Sequence, residues 1–209
     1  MKKKVRQDRS VRLYDAHSRH YDLVHHMQTL WADSLHRRIV AQKARLMPGE
    51  KCLDIGCGTG LAAIELARKY PESTIYGLDY SARMLERAEI NVEREGLSET
   101  IRLVKGDAQD MAFGDDEFDV ATSTYGVAGI PDLERAFLEM RRVVRPGGRI
   151  CIGDMTTPPE DVHGLWRAVH KAIVEPWIKA VWEFRDAPLI ELFELAGIVV
   201  DDVEYRRDR

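Results

Sequence analysis

Short apolar runs alternate along this chain with stretches whose apolar positions recur three and four residues apart. Runs near 51–55, 74–78, 101–105, 118–123 and 149–154 read as strands, and the intervening 60–70, 81–95, 132–145 and 160–175 read as helices. That alternation predicts β-α-β units with right-handed crossovers, hence an α/β fold around a doubly wound, mostly parallel sheet. A ligand of such a sheet lies at the carboxyl ends of the strands. Ahead of the first strand, Leu23, Met27, Leu30, Trp31, Ser34, Leu35, Arg38 and Ile39 fall at near-helical spacing, which predicts an amphipathic helix within 21–46 on the sheet or over the pocket. Past the fifth strand, Trp166, Val169, His170, Ile173, Pro176, Trp177, Ile178, Val181, Trp182 and Phe184 make a dense apolar and aromatic stretch. It either lines a pocket or packs on the sheet. Residues 189–197 predict a helix closed by Gly197, and 198–205 a sixth strand. The breaks at Met47-Pro48-Gly49-Glu50 and Thr156-Thr157-Pro158-Pro159 divide the chain into an N-terminal helical extension or lid (1–48) and an α/β domain (49–209) with a helical insertion at about 157–187.

The chemistry concentrates where the first strand meets its helix, in Leu53-Asp54-Ile55-Gly56-Cys57-Gly58-Thr59-Gly60. A strand that turns sharply into a helix while its backbone approaches a ligand leaves no room for side chains at Gly56, Gly58 and Gly60. The spacing G-x-G-x-G differs from the G-x-G-x-x-G that wraps a dinucleotide pyrophosphate, which disfavours a nicotinamide oxidoreductase. A second acid, Asp79, ends the second strand 19 residues after Gly60, a separation that one helix allows. Ser81 is placed to cap the helix that follows, bringing Met84 either toward a bound base or into the core. Gly106-Asp107-Ala108 follows the third strand, and Thr124-Tyr125-Gly126 leaves the fourth over the pocket.

These landmarks, in this order, resemble S-adenosylmethionine (SAM)-dependent methyltransferases of the Rossmann-like class. Adding Ser18-Arg19-His20-Tyr21-Asp22, Phe113-Gly114-Asp115-Asp116-Glu117-Phe118-Asp119, Tyr125-Gly126-Val127 and Arg145-Pro146-Gly147-Gly148-Arg149, the chain resembles the branch of ubiquinone/menaquinone biosynthesis C-methyltransferases over about residues 10 to 155. The resemblance implies SAM as cofactor and S-adenosyl-L-homocysteine as product. It implies that the loop of Gly56, Cys57, Gly58 and Gly60 passes beneath the methionine part, that Asp54 helps to hold the ammonium group, and that Asp79 accepts from the ribose hydroxyls. Tyr80, Met84, Gly106, Asp107 and Ala108 belong to the adenosine end, with Asp107 on the adenine amino group or, alternatively, capping a helix. Thr124 and Tyr125 lie over the cofactor, and Tyr21 closes on its methionyl end. The family adds a seventh, antiparallel strand, and the expectation here is a sheet that lacks it. An uncovered edge would favour self-association as a homodimer.

Composition narrows the partners. With 209 residues, 44% of them hydrophobic, the chain can bury one sizeable core. A net charge of -4 lacks the basic face that nucleic acid demands. The start Met1-Lys2-Lys3-Lys4-Val5-Arg6 reads as a short solvated tail or a weak membrane-surface contact. No run is apolar over the length of a bilayer, and no signal-peptide core follows the lysines, so the expectation is a cytoplasmic protein without integral membrane association. Cys52, Cys57 and Cys151 form neither a C-x-x-C pair nor a disulfide framework and read as small hydrophobes. No metal site is expected: His25 and His26 diverge on a helix, and His163 and His170 are seven apart without a paired carboxylate.

Methyl transfer is an in-line displacement at a sulfonium carbon, so alignment in a dry pocket can supply much of the catalysis. A ring-carbon acceptor additionally needs a base to remove a proton, a task suited to histidine. His25, His26, Asp154, His163 and His170 are candidates by location, each with the alternative of a surface or capping role. The leading expectation is methyl transfer to a small molecule, a hydrophobic aromatic or quinone-precursor carbon first. The alternatives are N- or O-methylation of a lipid headgroup or secondary metabolite and, from another class, a non-catalytic SAM-binding partner or regulatory subunit.

Overall fold

The computed structural model describes Asp15, Asp22, residues 32–154 and residues 193–200. In chain order the elements are α1 (Ala32–Ala44), β1 (Lys51–Ile55), α2 (Leu61–Lys69), β2 (Thr74–Asp79), α3 (Ala82–Arg94), β3 (Ile101–Lys105), β4 (Phe118–Thr124), α4 (Leu133–Val143) and β5 (Val144–Gly153). All five strands run parallel in the order β3-β2-β1-β4-β5. The order reverses at β1, whose neighbours are β2 on one side and β4 on the other, and in such a sheet the ends of the strands at that reversal are where a ligand is expected.

Both faces of the sheet are buried, as a parallel sheet requires. Strand periodicity sends Cys52 and Val120 to one face with Ala41, Ala63, Leu66 and Val92 from α1, α2 and α3. Leu53 and Ala121 go to the other, against Phe137, Met140 and Val143 of α4. There Phe118 is fully buried and meets Tyr76 and Phe113 edge-on, with ring centroids 5.2 and 5.0 Å away. Cys52, Cys57 and Cys151 are free thiols, and burial pushes all three upward from the ordinary thiol range.

The last strand departs from expectation. A helix over 132–145 and a strand from 149 were predicted, yet α4 ends at Val143, and Val144 already pairs with Phe118. The next pairing is Val120 with Arg149, so Arg145–Gly148 bulges out of the ladder. Gly148 makes the bulge feasible, since a Cβ there would lie 2.5 Å from Val144 Cγ1 and 2.6 Å from the Asp119 carbonyl. At the other end of the chain, the Phe193–Leu195 turn of helix closes on Gly197 at φ +69, with Ile198 N donating to Phe193 O at 2.8 Å. Residues 198–200, where the predicted sixth strand would begin, are not in a strand, Ile198 N being spent on that cap; the rest of that predicted strand, 201–205, lies outside the described residues. The insertion at 157–187 and residues 201–209 lie outside the described residues. Among the described residues no helix is long and apolar enough to cross a membrane, and no group of three or more His, Cys, Asp or Glu could hold a metal ion.

Candidate functional site

The loop after β1 folds through three left-handed residues, Gly56, Gly58 and Gly60, at φ +68, +54 and +82. A side chain there meets its own backbone, which costs roughly 1–2 kcal/mol per residue. Gly56 N and Cys57 N both donate to Leu78 O, at 2.8 and 3.0 Å, strapping the loop to β2. The surroundings of the three glycines differ. A Cβ on Gly56 would sit 2.8 Å from Gly126 Cα and one on Gly60 3.1 Å from Ala88 Cβ, whereas one on Gly58 would meet nothing within 4 Å. Protein atoms therefore exclude a side chain at Gly56 and crowd one at Gly60, a reason for glycine that adds to the close ligand approach expected for all three. Gly58 alone presents an open face. Gly56→Ala should accordingly lower stability by about 2–4 kcal/mol, combining backbone strain with overpacking, and Gly58→Ala by only about 1–2 kcal/mol. Urea denaturation of both variants checks this; equal losses would refute the distinction.

Cys57 turns its thiol inward, close enough that a Cβ on Gly77 would lie 3.0 Å from Sγ, so it offers the site its backbone alone. At the end of β2, Asp79 Oδ2 accepts from Gly58 N and Oδ1 from Ser81 N, both at 2.8 Å. Burial pushes its carboxyl upward, opposed by these hydrogen bonds. A carboxylate has about four lone-pair positions, so two donors leave it acceptor capacity. Ser81 caps α3 as predicted, accepting from Met84 N at 3.1 Å, and it also donates to Asp15 Oδ1. Met84 is buried but belongs to neither core cluster among the described residues. Tyr80, Gly106 and Ala108 are half-buried, and Gly106 N donates to Asp79 O at 3.0 Å. Asp107 Oδ1 accepts from Gln109 N and Nε2 at 2.9 and 2.8 Å. No helix starts there, so of the two readings of Asp107 the alternative of a helix cap falls, and these bonds tie a short turn.

Asp54 is the electrostatic centre of the site. It is 1% exposed, and Oδ1 accepts from Thr122 Oγ1 at 3.1 Å. Its Oδ2 has no hydrogen-bond partner among the described residues. Burial pushes its carboxyl up to about 7, the Thr122 hydroxyl opposing and the Asp79 charge adding to the rise. A buried carboxylate oxygen without a donor costs about 1–3 kcal/mol, more when charged, so this one is complementary to a cationic N–H group. The buried Thr124 Oγ1, at the end of β4, likewise has no partner among the described residues.

Asp22, Thr59 and His36, which sequence reasoning missed, complete the rim with the expected Tyr125. Thr59 Oγ1 donates to Asp22 Oδ1 at 2.6 Å, tying the N-terminal segment to the glycine loop through the neighbour of the singled-out Tyr21. Tyr125 takes φ +59, rare for an aromatic residue, and its N–H donates to Gly153 O at 2.8 Å. Its hydroxyl hydrogen-bonds Nδ1 of His36 on α1, the ring centroids 5.6 Å apart. His36 was not among the candidate bases. The signal available was its place one turn before Val40 on the amphipathic helix. Asp154 is half-buried just beyond β5, next to the Gly153 carbonyl that holds Tyr125. Tyr21, His25, His26, His163 and His170 lie outside the described residues.

An unpartnered acidic oxygen, an open glycine face and a second carboxylate thus stand side by side at the ends of β1 and β2. That donor and acceptor set fits the ammonium and ribose groups of SAM. A family model described as the ubiE/COQ5 methyltransferase family matches residues 2–171. The chain is similar to the demethylmenaquinone methyltransferase of Desulfitobacterium hafniense, 34% identical over 172 residues that make up 81% of this chain and 67% of that protein. It is also similar to the ubiquinone/menaquinone biosynthesis C-methyltransferase of Geotalea daltonii, 31% identical over 147 residues, 70% of this chain and 63% of that one. The chain thus spans about two thirds of the length of these curated relatives. Among solved structures, the geranyl diphosphate C-methyltransferase from Streptomyces coelicolor, in complex with Mg2+, geranyl diphosphate and S-adenosyl-L-homocysteine, shares the fold at TM-score 0.64 and 17% identity, over 78% of this chain and 58% of that chain.

Proposed function

The chain belongs to the ubiE/COQ5 methyltransferase family and is a methyltransferase, and from that premise we propose that it moves a methyl group from SAM to a ring carbon of a reduced quinone precursor. The observation that carries the cofactor half of this reading is the unpartnered Oδ2 of buried Asp54 beside the open face of Gly58. SAM, when bound, supplies a methyl group activated by its sulfonium. Asp54 holds the ammonium group, and Asp79 accepts from the ribose hydroxyls with its remaining lone pairs. Met84 and Asp107 flank the adenine, and Thr124 and Tyr125 close the methionyl side. Asp22 and Asp15 are bonded to Thr59 and Ser81, which supports reading the N-terminal extension as a lid that keeps the reaction dry. The acceptor half rests on the relatives, whose names specify demethylmenaquinone and ubiquinone/menaquinone biosynthesis.

Calorimetric titration with SAM, S-adenosyl-L-homocysteine and NAD, followed by turnover on reduced demethylmenaquinone and on phosphoethanolamine, tests both halves. Binding of SAM and its product but not NAD, with methyl transfer to the quinol alone, is the expected result. Transfer to the amine, or no binding of SAM by the folded chain, would overturn it.

A further inference from the structure

We propose that Tyr125 and His36 form the acid-base pair that ionises the aromatic acceptor, Tyr125 meeting its hydroxyl directly and His36 acting through Tyr125. This rests on the quinol reading of the acceptor. Three observations place the pair at the reacting end of the site. Tyr125 leaves β4 in a left-handed conformation, a strain that persists only where its surroundings enforce it. They do so here: its N–H is fixed to Gly153 O, and Gly126 is wedged so tightly that a Cβ would lie 2.6 Å from Ile55 O, 2.7 Å from Ser123 Oγ and 3.1 Å from Gly56 Cα. Packing against Gly56 puts Tyr125 beside the Asp54 end of the glycine loop, where the methionyl part of the cofactor belongs, rather than beside Asp79. The strained backbone also delivers the phenol to His36 Nδ1 on α1. That helix crosses the ends of β4 and β5, as shown by Val40 Cγ2, which would lie 2.7 Å from a Cβ on Gly153.

A phenol oxygen that donates its hydrogen to an imidazole can still accept through its lone pairs. The acceptor's phenolic O–H donates to Tyr125 Oη. As that proton moves to Tyr125, the tyrosyl proton moves to His36 Nδ1, leaving a phenolate on the acceptor and an imidazolium on His36. The activated ring carbon forms its bond to the methyl carbon as the C–S bond breaks, the electron pair of which stays on sulfur. The hydrogen on that ring carbon then leaves to water as a proton, and the proton on His36 returns through Tyr125 to the acceptor oxygen. One proton is released per methyl group transferred.

The test compares wild type, Tyr125→Phe and His36→Gln on reduced demethylmenaquinone and on a quinol analogue whose ring substituents make it acidic enough to be ionised in the assay buffer. General acid-base assistance is typically worth 10²–10⁴-fold, so kcat on the ordinary quinol should fall about 100-fold in both variants, while S-adenosyl-L-homocysteine affinity in His36→Gln changes less than about threefold. The pre-ionised analogue should restore most of the loss, which a purely structural contact would not allow. Independently of turnover, the imidazole nitrogen resonances of His36, identified by their absence in His36→Gln, should show Nδ1 as acceptor in wild type and lose that signature in Tyr125→Phe. Wild-type kcat in either variant, an equal loss on both quinols, or loss of S-adenosyl-L-homocysteine binding in His36→Gln would overturn the pair's role while leaving the quinol reading standing. Failure of wild type on every quinol, with cofactor binding intact, would overturn that reading and the pair with it.

Discussion

Asp79→Ala is expected to weaken SAM binding by about 10³-fold in a protein that still folds. Hydrogen bonds to a charged acceptor are worth about 1.5–3 kcal/mol each, and a diol supplies two, so the direct loss spans about two to four powers of ten. A second contribution comes from the loop, because Gly58 N and Ser81 N both lose the carboxylate that orients them. Asp79→Asn should be nearly as damaging. An amide presents one donor edge, which must face either the Gly58 or the Ser81 N–H. Calorimetry with SAM and its product, alongside far-ultraviolet circular dichroism, makes the measurement. Wild-type affinity in a folded Asp79→Ala protein would show that the ribose lies elsewhere.

Asp54→Asn should trade affinity for stability. Burial holds the Asp54 carboxyl at about 7 in the folded chain, against 3.8 for an ordinary aspartate. The folded state therefore binds the proton more tightly than the unfolded chain, and stability falls as pH rises between those two values. Integrated over the window, the effect is of order 4 kcal/mol, present in full below the lower value and lost above about 7. Asparagine does not titrate, so the fall in stability that this carboxyl contributes between about pH 4 and 7 should be missing from urea denaturation of the variant. At about pH 8 it should exceed wild type by about 1–3 kcal/mol, once the cost of a poorly paired amide is subtracted. The same change removes the counter-charge of a buried ammonium, which costs 2–5 kcal/mol or more and so about 100-fold in SAM affinity. Wild-type SAM binding should release protons below pH 7, as the ammonium draws the carboxyl downward. A pH-independent wild type, or an Asp54→Asn protein that binds SAM normally, would refute the assignment.

Much of the site was open to reading in the linear chain because its requirements are local. Alternation of apolar runs with helical spacing depends on residues a few positions apart, and it placed β1 to β4 and α2 to α4 with boundaries shifted by at most a few residues. Left-handed turns favour glycine, which marked the loop after β1, and Ser81 announced its cap by its position before α3. The start of β5 escaped because its pairing with Phe118 skips across a bulge, and only the neighbouring strand specifies that register.

What the sequence determined by itself was the alternating α/β order, the position of the glycine loop and the two acids, Asp54 and Asp79, that follow from strand-end placement. Tertiary structure decided the rest: that Gly56 and Gly60 are small for the sake of Gly126 and Ala88, that one Asp54 oxygen is left without a donor, and that Asp22 and His36 reach across to Thr59 and Tyr125. Each of these depends on groups separated by 28 to 89 positions in the chain yet a few ångströms apart in space. Local periodicity carries no information at that separation. The packing of α1 and the strand ends supplies it, because burial and hydrogen-bond satisfaction are properties of the assembled layers.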